Sequence, residues 1–308
     1  MIDVLLQTLP FFALIGLGFG AGRSGFFPPE ATAWLTRFVF YFALSAMLFR
    51  FAANLSLAEV ISWPFIWAYL LGTMVIYLLA TGVALLRGIG IEEGAVEAQC
   101  AVVGNVGFLG IPMLAMLLGD AAVGPVMMVL AVDLIVFGSL IVIIISAKRD
   151  GRLSPWVLVS VGRGLLKNPM IVSISLGFAW SASRLPIPAP MNDFLGLLGA
   201  AATPGALFAI GASLADKSAE RMVIAGWLSF AKLVLHPLAV AITALMVFSV
   251  APYPAAVMIA AAALPVAGNV FILAQHYGIA PHRASAAILI STAASILTVS
   301  AVIAWGTQ

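Results

Sequence analysis

Long apolar runs, each closed by a few charged residues, a glycine or a proline, organise this chain from end to end. In the first half they cover about 4–21, 34–53, 60–86, 94–118 and 122–147; in the second, about 166–184, 194–214, 222–249, 253–275 and 282–305. Most approach the roughly 20 apolar residues that a helix needs to cross a bilayer core. The pattern predicts an all-α membrane protein with ten transmembrane helices. The first run follows Met1-Ile2-Asp3 with no basic leader, so it reads as a retained span.

Composition strengthens this reading. Of 308 residues, 63% are hydrophobic and 8% charged, and the mean hydropathy is +1.16; a soluble protein of this size could not cover its surface with so few charges. The lipid bilayer is the first expected partner. No basic run alternates with aromatics, so nucleic acid is not expected as a partner. Cys100 is the only cysteine and no Cys/His group has the spacing of a zinc site, so neither a disulfide, a metal nor a cofactor is expected.

The basic residues are unevenly placed. Arg23, Arg37, Arg87, Lys148, Arg149, Arg152, Arg163, Lys167, Lys217, Arg221 and Arg283 fall on one side of the predicted spans, and only Arg50 and Arg184 on the other. The positive-inside rule puts the larger group in the cytoplasm and both termini, with Asp3 and Gln308, outside. The most polar stretch, Lys148 to Pro155, divides the chain into a first repeat (1–147), a cytoplasmic linker (148–165) and a second repeat (166–308).

Five spans per half is an odd number, so related halves must lie in opposite orientations. At an offset of 159, Pro10 matches Pro169, Gly18-Phe19 matches Gly177-Phe178, Ala43 matches Ala202 and Leu48-Phe49 matches Leu207-Phe208. At an offset of 164, Gly104-Asn105-Val106 matches Gly268-Asn269-Val270. The collinear order of these matches predicts two inverted five-helix repeats.

Candidate chemistry lies where the predicted helices should break. The fourth span contains Gly104, Asn105, Gly107, Gly110 and Pro112, and the ninth contains Pro265, Gly268 and Asn269. Glycine weakens a helix and proline removes a donor, and backbone freed in this way must be buried in protein or line a cavity. Opened helix ends would favour an anion, and the two asparagines could bond one. The same glycines would also serve close helix packing. Lys232 and His236 lie one turn apart in the eighth span and Asp133 lies deep in the fifth. Such groups need partners: a Lys232–Asp133 ion pair, substrate-charge compensation, proton coupling, or, for His236, a carbonyl freed before Pro237. Glu97 reads as a solvated acid at a helix start, and His276, His282 and Arg283 as a surface cluster.

Several stretches resemble the auxin efflux carrier family, which includes plant PIN auxin exporters and bacterial permeases assigned to malonate or malate. They are FFALIGLGFGAGR from Phe11, GNVGFLGIP from Gly104, KNPMIVSISLG from Lys167, ATPGALFAIGASL from Ala202, KLVLHP from Lys232 and LPVAGNVFILAQHYG from Leu264. The resemblance implies spans 1, 2, 6 and 7 as scaffold, a moving unit of spans 3–5 and 8–10, and broken helices 4 and 9 that cross at mid-membrane beside an organic anion. Ser45 and Gly104 stand where family members often carry proline, and the long central loop of the plant exporters is absent. The bacterial permeases are therefore the nearer likeness, and a bacterial inner membrane the expected setting.

The sequence thus predicts a secondary carrier for a small organic anion, a carboxylate or dicarboxylate, moved by an elevator-like mechanism. A proton or sodium ion could couple it, and a homodimer is open. A channel or membrane sensor subunit is the alternative; no HExxH or GxSxG motif supports an enzyme.

Overall fold

A computed structural model of the chain describes residues 2–55, 61–150, 155–215 and 222–306. Among them the regular structure is helical: α1 (Ile2–Arg23), α2 (Pro29–Ala53), α3 (Trp63–Leu86), α4 (Ile91–Val102), α5 (Val106–Leu118), α6 (Asp120–Lys148), α7 (Pro155–Lys167), α8 (Pro169–Ala182), α9 (Ala189–Leu214), α10 (Met222–Val247), α11 (Pro252–Ala262), α12 (Gly268–Tyr277) and α13 (Pro281–Gly306).

Six of these, α2, α3, α6, α9, α10 and α13, are long and apolar enough to cross a membrane. Helices also lie over the other predicted spans: α1 covers the first in one piece of 22 residues, and the rest are shorter or split. The fourth is split into α4 and α5, the ninth into α11 and α12, and the sixth starts anew at Pro169 after Asn168 caps it, its Oδ1 accepting from Met170 N at 3.0 Å. Much of the predicted linker is helical, as α7; its residues 151–154, like Lys217, Arg221 and Gln308, lie outside the described residues.

The long helices are apolar on every side, as lipid demands. In α3, Trp63, Trp67, Leu71, Val75 and Leu78 form an exposed stripe, while Phe65, Tyr69, Ile76 and Tyr77 are buried on the opposite side. Two close pairings tie the halves together. α1 packs along the second half of α9, and α8 along the end of α2. Gly18 lies directly against the backbone of Phe208, and Gly211 against the carbonyl of Ile15, so a side chain at either would collide with the neighbouring backbone. In the second pairing a Cβ on Gly177 would stand 2.7 Å from the carbonyl oxygen of Phe49. Gly18 and Gly177 are matched by the 159-residue offset, and so are Phe49 and Phe208: each half gives its glycine to the other half's phenylalanine.

Candidate functional site

The site is built by the two interruptions. At the first, α4 ends at Val102 and the chain runs extended through Val103 and Gly104. Asn105, at φ −76° and ψ 53°, then leads into a wide π-turn that opens α5. At the second, α11 ends at Ala262 and the chain reaches α12 through Ala263 to Ala267. Pro265 has no N–H to continue the helix and disfavours helical backbone at Leu264.

The two extended pieces pair antiparallel. Asn105 N donates to Pro265 O at 2.8 Å, Ala267 N to Val103 O at 3.1 Å, and Gly104 faces Val266. Val266 N finds Ser291 Oγ on α13 at 3.1 Å. The carbonyl of Asn105 accepts from Leu109 N at 3.1 Å and Gly110 N at 2.9 Å. Backbone freed by each break is thus largely satisfied by the other break and by α13, which is how non-helical chain survives in an apolar interior.

Gly104 is small for a local reason: a Cβ there would stand 3.3 Å from Lys232 Nζ and 3.4 Å from Ala261 O. A Cβ on Gly107 would meet the terminal methyl of Met170, whereas Gly268 has open space around it. Pro112 falls just after the π-turn of α5, where a missing N–H is tolerated. The two asparagines differ. Asn105 is only 6% exposed, and among the described residues its side-chain amide makes no hydrogen bond; Asn269 is exposed at the start of α12.

The three deep titratable residues share one buried polar group. Lys232 and Asp133 each sit in a π-turn, of α10 and α6, a feature frequent at functional sites. No ion pair joins them. Instead Lys232 Nζ donates to the carbonyl of Ala262, the last residue of α11, and lies 3.1 Å from His236 Nδ1. A cation at a helix C-terminus complements both the freed carbonyl and the dipole. His236 Nδ1 is also 3.2 Å from Ala262 O, and its Nε2 is 3.0 Å from Thr73 Oγ1. With Nδ1 accepting from the ammonium, Nε2 carries the ring proton and donates to Thr73. Asp133 Oδ1 accepts from Tyr69 OH at 2.8 Å, while Oδ2 is buried without a partner. Tyr69 in turn stacks edge-on to His236, with centroids 5.9 Å apart.

Glu97 is fully buried rather than solvated. It accepts from Arg87 Nη2 at 2.5 Å and Arg283 Nη1 at 2.9 Å, and Arg283 also reaches Glu93 at 2.9 Å. This lock joins the end of α3, α4 and the start of α13, and it takes Arg283 out of the expected surface cluster. Sequence reasoning passed over Ser291, Thr73 and Tyr69, because lone hydroxyls in apolar spans carry no spacing signal.

Residues 3–303 match the family described as "Membrane transport protein". A protein of Rhizobium meliloti (strain 1021) named "Putative malonate transporter" is 31% identical over 303 residues, covering 97% of this chain and 95% of that protein.

Proposed function

The chain belongs to the membrane transport protein family, the auxin efflux carrier family that its motifs resemble, and we propose that it is a secondary carrier for a small organic carboxylate, working by elevator-like alternating access. It is a multi-pass membrane transporter in either case; substrate class and mechanism are the proposal. The name of the Rhizobium relative favours a dicarboxylate of malonate size.

One observation carries the reading: Asn105, only 6% exposed, is placed where two broken helices meet, and among the described residues its side-chain amide makes no hydrogen bond. An amide not committed within the protein can donate to a ligand, and a carboxylate oxygen would complete it. Gly104 and Gly107 let Lys232 and Met170 pack against that backbone, Pro265 holds the chain out of regular helix, Pro112 follows the wide turn of α5, and Gly268 and Asn269 open α12 on the other side. Lys232, with His236 behind it, adds positive potential beside Gly104. Asp133 and the Tyr69 hydroxyl extend the polar group away from it, a route that suits coupling to a proton.

The exchanged contacts of Gly18 with Phe208 and Gly177 with Phe49 support two inverted repeats of five spans, since a two-fold relation produces such a pair. They also support α1, α2, α8 and α9 as the scaffold, because backbone-to-backbone packing leaves little room for sliding. The charge asymmetry favours both termini outside. The test is counterflow: proteoliposomes loaded with unlabelled malonate should accumulate labelled malonate saturably, and Asn105→Leu should remove this. A flux that does not saturate and shows no counterflow would replace the carrier by a channel.

A further inference from the structure

Between the last turns of α2, the first turns of α9 and the middle of α5 lies a cavity of about 240 Å3. Met47, Phe51 and Leu195 supply apolar walls, Pro112 and Ala115 close it from α5, and the side chain of Arg50 enters it. Arg50 is held in place. Its Nε donates to Asn192 Oδ1 at 3.0 Å, which fixes the plane of the guanidinium. Gly196 lets that plane lie close over α9: a Cβ there would stand 3.5 Å from Nη1 and 3.6 Å from Cζ. Among the described residues no ion pair involves Arg50; those present gather at Glu93 and Glu97. The terminal N–H groups therefore form an oriented fork with no anionic partner among the described residues.

We propose that this cavity binds a small organic carboxylate, with the carboxylate group paired to the Arg50 guanidinium. A planar fork of fixed orientation matches a carboxylate through two parallel hydrogen bonds, and apolar walls strengthen such a pair. At about 30 Å3 per water the space equals about eight waters, enough for an acid of malonate size with part of its hydration. The apolar part of the ligand lies against Met47, Phe51 and Leu195. The ligand class rests on the carrier reading; the site itself does not. It is separate from the paired interruption, and the two are linked by α5, which starts beside Asn105 and forms the cavity wall with Pro112 and Ala115. Any shift of α5 against α2 and α9 changes the cavity, so the site belongs to one end of the transport cycle.

The test uses Ala115→Cys, which puts a thiol in the cavity wall; the native Cys100 is fully buried. On purified full-length protein, the rate of maleimide alkylation is compared with and without malonate, with neutral malonamide as control. Malonate should slow alkylation at least tenfold and malonamide should not. Adding Arg50→Gln should abolish protection, whereas adding Asn105→Leu should leave it. If Arg50→Gln does not fold, Asn192→Leu, which frees the guanidinium, should raise the protecting malonate concentration several-fold. Absent protection, protection that survives Arg50→Gln, or protection lost in Asn105→Leu each overturns the proposal. Counterflow on the unaltered protein separates the two readings. Counterflow without protection rejects the Arg50 site and keeps the carrier; protection without counterflow keeps the site and rejects the carrier.

Discussion

At the first interruption the chain leaves one helix and enters the next within three residues, and the new helix opens on a wide turn that folds back onto Asn105. At the second, five residues separate the helices, and the end of α11 is closed by Lys232 of α10, with His236 behind it. One break is self-contained; the other depends on a buried cation and on Ser291. The asparagines follow the same division. Asn105 is largely enclosed, while Asn269 is exposed one residue into its helix. Two halves with matched motifs thus reach different solutions where they meet: the first encloses its asparagine, and the second is closed by a buried cation.

Substitutions can break or sharpen this contrast. The largest effect is expected from Lys232→Met, which leaves the Ala262 carbonyl and His236 without their donor. Loss of a charged, buried hydrogen bond should cost about 2–3 kcal/mol, read as a lower thermal unfolding temperature in detergent. An unchanged unfolding temperature would mean that the ammonium does not close α11. Next comes Asn105→Leu, which should fold normally and weaken malonate binding by ~1–3 kcal/mol in a titration; full affinity would remove the amide from the site. Ser291→Ala deprives Val266 N–H of its acceptor and should lower stability by about 1–2 kcal/mol, with substrate affinity less affected. Asn269→Leu should have the smallest effect, below about 1 kcal/mol in binding, because water already serves its side chain. If it matched Asn105→Leu, the two halves would contribute equally and the contrast would fail.

Much of the fold was legible because lipid imposes simple rules: apolar runs mark helices, and glycine with proline marks their breaks. Both interruptions fall at the expected motifs. The matched glycines Gly18 and Gly177 carried real information, since each makes the close approach that its lack of a side chain permits. What was hidden is instructive. A Lys232–Asp133 ion pair was one of the alternatives open in the sequence, but the partner of Lys232 is a backbone carbonyl, which no residue type announces. The 164-residue offset aligned Asn105 with Asn269 through a shared Gly-Asn-Val, yet the observed pairing sets Gly104 opposite Val266, a difference of 162. That pairing is antiparallel, so Asn105 stands opposite Pro265, and Asn269 lies beyond the paired residues, inside α12. Glu97 looked like a solvated acid because its partners, Arg87 and Arg283, come from two other helices.

The lengths of the broken helices have an electrical consequence. α4 has 12 residues, α11 has 11 and α12 has 10, so at 1.5 Å per residue each piece is about 15–18 Å long, near half the thickness of a bilayer core. On the proposed carrier reading, in which these pieces stand across the bilayer, the paired break would lie about halfway down the membrane potential. A singly charged anion that reaches it from one side has crossed about half the voltage drop, worth about 1.2 kcal/mol at 100 mV. Occupancy of such a site depends on membrane voltage even before anything is carried across.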